Sequence, residues 1–193
     1  MAPELFEISF GRSGEPLPST DQPLEFADEK GAVRISGRID RIDTGVFAGH
    51  SVFNVLDYKT GRSIRLTPES IAAGTTLQLP LYAIAAMELI LNDRDAYPWR
   101  VAYWYVRDDG FKPRQALKMY EDIDGRIELE PKWEDIRAGL RDTVIGLARS
   151  MRTGRFPVCS SDEHCTGRCP FRTVCRINLV RSLEKKWQPT ASQ

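Results

Sequence analysis

Two strand-like segments near the start of the chain are joined by a short connection, and this pairing constrains the fold more than any other feature. The first segment, AVRISGRIDRID at 32–43, places apolar residues among polar ones: Val33, Ile35, Ile39 and Ile42. The second segment, SVFNVLDYKT at 51–60, is rich in Val, Phe and Tyr. Between them lies TGVFAGH, whose two glycines are typical of a hairpin connection. The sequence therefore predicts two neighbouring strands of one sheet.

Charged side chains occupy equivalent places on these two strands. Asp57 and Lys59 are two residues apart, so both side chains project from one face, while Tyr58 projects from the opposite face, which we take to be the core. Asp40 lies on the preceding strand, where its carboxylate can sit beside Asp57. Adjacent carboxylates repel each other unless a cation lies between them, and Mg²⁺ accepts such ligands together with water and substrate phosphates.

A lysine beside such a site can orient a water molecule or stabilise charge that develops on a phosphate. The spacing of Asp57 and Lys59 therefore fits metal-assisted hydrolysis of a phosphodiester. The same spacing also fits an ion pair on the surface of an edge strand. Spacing alone leaves both interpretations open.

The remaining segments alternate between strand and helix patterns. LFEISF (5–10) predicts a strand, the polar and proline-containing residues 11–30 predict a loop, and a helical period starts at Pro68 with Thr67 as its cap. Pro80 predicts a break near residues 76–79. Residues 99–108 predict a strand whose YWYVR segment lies in the core, 113–121 with 125–130 a strand pair, and 131–154 an amphipathic helix. This order predicts an α/β fold with a mixed central sheet flanked by helices.

Composition excludes some classes of protein. Lys and Arg together number 27, as do Asp and Glu, so the net charge of zero does not indicate a nucleic-acid-binding protein. No apolar run approaches the roughly 18–20 residues that a membrane span requires. The N-terminus, MAPELFEISFG, lacks the apolar core of a signal peptide, and we therefore expect a cytoplasmic protein.

Four cysteines are confined to a short segment near the C-terminus. They are separated by five, three and five residues: Cys159, Cys165, Cys169 and Cys175. In a reducing compartment such clustering indicates a metal centre rather than disulfides. Thiolates at this spacing can bind either an iron–sulfur cluster or zinc, and His164 could join a zinc site.

Three short motifs follow one another along the chain: GRIDRID at 37–43, VLDYKTG at 55–61 and QLPLY at 78–82. In this order they resemble the PD-(D/E)XK nuclease superfamily, and most closely its RecB-like branch. That branch includes the nuclease domains of AddB-type helicase–nuclease subunits and CRISPR-associated RecB-like exonucleases. The resemblance runs from about residue 5 to residue 180 and implies a restriction-endonuclease-like core. It also implies a metal-dependent DNA nuclease, expected to be an exonuclease, in DNA break processing, repair or recombination.

The resemblance assigns roles to the acid and lysine residues of the hairpin. Asp40 and Asp57 match metal ligands for Mg²⁺ or Mn²⁺, and the backbone carbonyl of Tyr58 completes the metal shell. Lys59 matches the catalytic lysine. We therefore expect these residues to form the active site.

Further residues around this hairpin are expected to contact DNA or to support the site. Gln78 and Tyr82 match a Gln-x-x-x-Tyr motif and lie on one helix face, from which they can position DNA or the lysine. Arg62 and Arg65 follow the lysine closely and are expected to contact the DNA backbone. A helicase subunit, or a helicase domain of a longer polypeptide, is the partner that the resemblance implies.

The resemblance also bears on the cysteines and on the extent of the domain. The CPFRTVCR segment matches the end of a 4Fe–4S site, with Cys159 in place of an upstream cysteine, so we favour 4Fe–4S over zinc. We expect a nuclease core at 1–156, a cysteine cluster with a C-terminal helix at 157–187, and a disordered tail at 188–193. A further His or Glu ligand on an upstream helix has no match here, and we expect a fragment or a reduced form of the domain. Two alternatives stay open: a catalytically silent DNA-binding or scaffolding domain, and a zinc-stabilised interaction module.

Overall fold

The computed structural model describes residues 1–61, 66–106, 110–111 and 116–155. The chain divides into two compact units, Met1–Ala148 and Arg149–Gln193, and the description below concerns the first. The predictions for Arg62, Arg65, the four cysteines, the C-terminal helix and the tail all fall outside the described residues. In the described part of the chain, no helix is long and apolar enough to cross a membrane.

The central sheet is mixed, as predicted. Its strands lie in the order β1-β4-β5-β6-β7, and a short strand, β8, also pairs with β6. Among the described strands of this sheet, β5 and β6 pair in parallel and the other pairs are antiparallel. Separate two-stranded hairpins are formed by β2 with β3 and by β9 with β10. The strands of the described residues are β1 Ala2–Phe10, β2 Leu24–Asp28, β3 Gly31–Ile35, β4 Gly37–Phe47, β5 His50–Lys59, β6 Tyr97–Tyr105, β7 Gly110–Phe111, β8 Leu117–Lys118, β9 Tyr120–Ile123 and β10 Arg126–Leu129.

Three α-helices accompany the sheet in the described residues: α1 Pro68–Ala72, α2 Gln78–Ala85 and α3 Pro131–Arg152. The predicted start at Thr67 is confirmed, because its hydroxyl accepts the Ser70 N–H while the Ser70 hydroxyl accepts the Thr67 N–H. A π-helical turn, Ala86–Ile90, extends α2. Together these segments cover one face of the sheet.

The break in the helical segment lies slightly earlier than expected. Helix α1 ends before Gly74, whose φ of +72° is a left-handed conformation that glycine adopts at little cost. Pro80 is the third residue of α2 and does not break it. A backbone N–H at that position would have no helical acceptor, so proline removes nothing that the helix needs.

Two predictions about the N-terminal region were wrong. Residues 11–30 are not all loop, because Leu24–Asp28 forms β2, with the Leu24 side chain only 2% exposed. Residues 32–43 are not one strand, because the chain turns at Ser36 and the segment before it pairs with β2 instead. The Ser36 hydroxyl donates to the carbonyl of Gly11 at 3.0 Å, a long-range contact that local periodicity does not reveal.

The predicted hairpin of β4 and β5 is confirmed. Both residues of its turn have positive φ, 48° at Ala48 and 80° at Gly49, which suits a tight two-residue connection. The pairing of Arg41 with Leu56 and of Ile42 with Val55 sets the register. Continued by one residue, this register places Asp40 opposite Asp57.

The apolar core lies between one sheet face and the helices. Buried side chains of this core include Ile39, Phe53, Val55, Val101, Leu79, Ala83, Trp133, Ile136 and Leu140. Complete burial of such a Leu, Ile or Phe side chain contributes about 1.5–3 kcal/mol to stability. The core tyrosines predicted in YWYVR are confirmed, with Tyr103 and Tyr105 exposed by only 6% and 2%.

Candidate active site

The site lies where the apolar face of β5 becomes polar. Phe53 and Val55 belong to the core, and the next two residues on that face are Asp57 and Lys59. Only 4% of the Asp57 side chain is exposed, compared with 26% for Lys59. The strand therefore carries a carboxylate into the protein interior and an ammonium to its edge.

Gln78 connects these two charged groups. Its Nε2 donates to Asp57 Oδ1 at 2.8 Å, and its Oε1 accepts from Lys59 Nζ at 3.1 Å. The second hydrogen of Nε2 is directed to the hydroxyl oxygen of Tyr82 at 3.2 Å. A primary amide has two donor hydrogens, so the site uses both of them and fixes the orientation of the amide.

This network brings four of the predicted residues together: Asp57, Lys59, Gln78 and Tyr82. The expectation that Gln78 and Tyr82 face the acid and lysine agrees with the hydrogen bonds. Both side chains lie on one face of α2 because they are four residues apart. Pro80 between them does not disturb that arrangement.

Asp40 is attached to the same region through the backbone. Its Oδ2 accepts the N–H of Tyr58 at 2.8 Å, beside the point where the regular pairing of β4 and β5 stops. Asp40 is partly exposed, whereas Asp57 is buried. The two carboxylates are close enough for Asp40 to raise the pKa of Asp57.

Tyr58 corrects one expectation. Its side chain projects away from Asp57, as predicted, but it is 37% exposed rather than packed in the core. Its hydroxyl lies 3.4 Å from an Arg41 nitrogen, and its ring meets the edge of Trp104. The apolar core therefore lies on the face that carries Asp57, and the opposite face is partly solvated at this end of β5.

Burial raises the pKa of Asp57 above its ordinary value. The Lys59 ammonium acts in the opposite direction, and the Asp40 carboxylate raises the pKa further. Burial is the largest cause because a carboxylate loses hydration when it leaves water. A cation that reaches this carboxylate would therefore gain a ligand whose negative charge is poorly compensated.

The donor set fits a hard divalent cation. Asp57 Oδ2 is buried and forms an ion pair with Lys59, yet it accepts no hydrogen bond of regular geometry from any described residue. Buried polar atoms normally have such a partner. Asp40 adds a second, partly exposed carboxylate beside it. Oxygen ligands of this kind are those that Mg²⁺ and Mn²⁺ prefer.

Three residues around the site were not predicted to support it. Phe10 packs edge-on against Tyr82, with ring centroids 6.0 Å apart and planes at 86°. Gly37 lies against both rings, since a Cβ there would be 2.7 Å from Phe10 Cζ and 3.1 Å from Tyr82 Cε1. Tyr103 lies on the neighbouring strand, with its ring centroid 5.2 Å from Lys59 Nζ. The glycine that opens GRIDRID was a visible signal, whereas the two aromatic contacts depend on tertiary packing.

Curated relatives of this chain are named as the B-type subunit of an ATP-dependent helicase/deoxyribonuclease. The relative from Desulforamulus reducens is 36% identical over 109 residues, which are 55% of this chain and 9% of the relative. The protein of that name from Natranaerobius thermophilus is 43% identical over 82 residues, 42% of this chain and 7% of the relative. The one from Staphylococcus epidermidis is 30% identical over 134 residues, 63% of this chain and 10% of the relative. The chain thus spans at most a tenth of the length of these relatives.

The family comparison covers far more of the chain. A sequence model of the PD-(D/E)XK nuclease superfamily matches residues 1–176, which include every described element of the fold and site. The mixed sheet flanked by helices is consistent with a restriction-endonuclease-like α/β core. On the extent of this match, the chain belongs to the PD-(D/E)XK nuclease superfamily.

Proposed function

We propose that this chain is a metal-dependent DNA nuclease domain of the RecB/AddB type, which hydrolyses phosphodiester bonds and acts as an exonuclease. The observation that carries the proposal is the hydrogen-bonded group of Asp57, Lys59 and Gln78 at the edge of an apolar core. An ammonium and a buried carboxylate held in this way are suited to the chemistry of a charged phosphate. Membership of a nuclease superfamily and the deoxyribonuclease names of the relatives support the same conclusion.

The metal would be held by the carboxylates of Asp40 and Asp57 together with the carbonyl of Tyr58. Bound there, Mg²⁺ or Mn²⁺ would supply Lewis-acid stabilisation of phosphate charge and a more acidic bound water. The buried Oδ2 of Asp57, which lacks a regular hydrogen bond, supports this assignment. The identity of the metal is part of the proposal.

Lys59 would hold its positive charge beside the phosphate that is attacked. Removal of one positioned donor at such a centre typically costs about 10²–10³ in rate. Gln78 would keep the lysine and the acid in register, and Tyr82 would support Gln78 and the DNA strand. Arg62 and Arg65, which lie outside the described residues, are proposed to contact the DNA backbone.

The cellular context is proposed on the names of the relatives. We infer that the domain acts in the cytoplasm on DNA ends during break processing, repair or recombination, together with a helicase subunit or a helicase domain of the same polypeptide. Cys159, Cys165, Cys169 and Cys175 are proposed to bind a 4Fe–4S cluster, with zinc as the alternative. Metal analysis and the visible spectrum of anaerobically purified protein distinguish these two centres.

The activity test compares two lysines of the same sheet. The protein is incubated with end-labelled DNA and Mg²⁺ or Mn²⁺, with and without chelator. Lys59→Ala should remove cleavage, while Lys118→Ala should not, because Lys118 is 52% exposed on β8 and pairs with Glu121. Metal-dependent cleavage that persists in Lys59→Ala would contradict the assignment of the lysine. DNA binding without cleavage by the unsubstituted protein under any of these metals would favour a silent DNA-binding or scaffolding domain.

A further inference from the structure

The Lys59 ammonium is held from more than one side. It pairs with Asp57, donates to Gln78 Oε1 at 3.1 Å, and lies 5.2 Å from the centroid of the Tyr103 ring. A lysine side chain has several rotatable bonds, and confining it costs up to about 2 kcal/mol of conformational entropy. Contacts that share this cost keep the ammonium at one place on the sheet.

Tyr103 reaches the lysine because β5 and β6 are parallel. Their register pairs Asp57 with Tyr103, and Lys59 with Tyr105. Tyr103 therefore lies on the core face at the level of the acid, where only 6% of the residue is exposed. Its ring is fixed by the core on one side and presents a π system to the ammonium on the other.

We propose that Tyr103 is a positioning residue for Lys59, and that it holds the ammonium through the face of its ring rather than through its hydroxyl. The role in catalysis rests on the proposed nuclease function. A cation within about 6 Å of a ring centroid is attracted by the ring quadrupole, and the attraction grows when the pair is desolvated. With 26% of the Lys59 side chain exposed, this pair is largely withdrawn from water.

The electrostatics of Tyr103 support the ring over a phenolate as the partner of the lysine. Burial raises the pKa of Tyr103 to about 12, and the negative charge of Asp57 contributes to the increase. The phenol is therefore neutral across the pH range in which a nuclease would be assayed. The attraction that remains for the ammonium is that of a neutral aromatic ring.

The test compares aromatic and non-aromatic residues at position 103. Tyr103→Phe keeps the ring and should keep kcat within about threefold of the unsubstituted protein. Tyr103→Leu and Tyr103→Met remove the ring and should lower kcat by about 10-fold, with KM for DNA unchanged. The expected size follows from the energies typical of a partly desolvated cation–π pair.

A matched control separates positioning from loss of core packing. Phe53→Leu removes another completely buried ring from the same face of the sheet, six positions before Lys59. Circular dichroism and thermal unfolding identify variants that fold, and Tyr103→Met serves if Tyr103→Leu does not. Among folded variants, Phe53→Leu should keep its kcat. An equal loss of kcat in Tyr103→Phe and Tyr103→Leu, or in Phe53→Leu, would overturn the proposal.

A second readout does not depend on activity. The ε-methylene protons of Lys59, assigned by comparison with Lys59→Ala, should show an upfield ring-current shift in the unsubstituted protein and in Tyr103→Phe. That shift should disappear in Tyr103→Met. If the shift is absent from the unsubstituted protein, the contact itself is refuted. If the shift is present but no variant or condition yields cleavage, the nuclease proposal fails while the contact stands.

Discussion

The carboxylate of Asp40 accepts the backbone N–H of Tyr58 at 2.8 Å, so the first acid of the site also joins β4 to β5. The bond lies beside Asp57, at the point where the regular ladder of the two strands ends at Arg41 and Leu56. One side chain thereby has a structural contact through one oxygen and a second oxygen with room for another partner. Substitution can separate these two uses.

Asp40→Asn should retain the structural bond and lose the metal. The amide oxygen of asparagine can still accept the Tyr58 N–H, so the unfolding free energy should change little. Asp40→Ala removes the acceptor and should lower the unfolding free energy by about 1 kcal/mol. Both variants should lose Mn²⁺-dependent cleavage and the increase in Tm that Mn²⁺ produces. Denaturant unfolding and thermal scans with and without Mn²⁺ measure these effects.

The control for Asp40 is an aspartate that makes the same bond elsewhere. Asp122 Oδ1 accepts the N–H of Gly125 at 2.8 Å in the β9–β10 hairpin. Asp122→Ala should lose stability without any change in the response to Mn²⁺. A normal Mn²⁺ response in Asp40→Asn would show that Asp40 serves the sheet alone.

The burial of Asp57 predicts a defined pH dependence of stability. Because the folded-state pKa is raised above the ordinary value of 3.8, folding disfavours the ionised form. The group therefore costs nothing at low pH, and its cost grows as pH rises from about that value through the raised pKa. Above the raised pKa, the cost is complete.

Asp57→Asn removes this cost. In the absence of divalent metal, the variant should gain stability relative to the unsubstituted protein as pH rises through this window, and it should have no activity. Urea unfolding of both proteins from about pH 3 to about pH 8 measures the difference, so that the titration of other carboxylates cancels. A difference that is constant across pH would contradict the raised pKa of Asp57.

Gln78→Glu tests the polarity of the bridge between Asp57 and Lys59. A glutamate can still accept from Lys59, but it cannot donate to Asp57 and places a second negative charge beside it. Activity should fall by about 10²-fold, as for loss of a positioning contact. The pKa of Asp57 should rise further, because a like charge disfavours ionisation. Carboxylate carbon shifts followed by NMR across pH measure this pKa, and an unchanged titration of Asp57 would contradict the geometry.

Gly37→Ala should disturb the site through Tyr82. The new Cβ would lie 2.7 Å from Phe10 Cζ and 3.1 Å from Tyr82 Cε1, which is closer than carbon atoms approach without displacement. Tyr82 in turn accepts from Gln78. We expect activity to fall on the order of 10-fold, because small displacements already affect a positioned site. Kinetics of purified protein measure the loss.

A second substitution and a control make the Gly37 prediction specific. Phe10→Leu removes the ring that the new methyl group meets, so the Gly37→Ala, Phe10→Leu double variant should recover part of the activity. Gly45→Ala places the same methyl group on β4, where it meets only the terminal residue Met1 at 3.0 Å and should have little effect. Equal losses in Gly37→Ala and Gly45→Ala would indicate a general effect on the strand.

Several features of the site follow from local pattern alone. Asp57 and Lys59 share a face because strand side chains alternate, and Gln78 and Tyr82 share a face because four residues are about one helical turn. The mixed sheet and the superfamily were predicted from the order of these elements and their motifs, and both are confirmed. The predictions for Arg62, Arg65 and the cysteines lie outside the described residues and stay predictions.

Only the tertiary structure decided the surroundings of those residues. Which face of β5 is buried depends on where α2 and α3 pack, and for this reason Tyr58 was wrongly assigned to the core. The turn at Ser36 and the strand β2 depend on pairing between distant segments. The contacts of Tyr103 with Lys59, and of Phe10 and Gly37 with Tyr82, depend on strand register and on helix position. The sequence by itself determined which side chains can share a face, because that follows from the local geometry of the chain, while long-range packing determined which groups those faces meet.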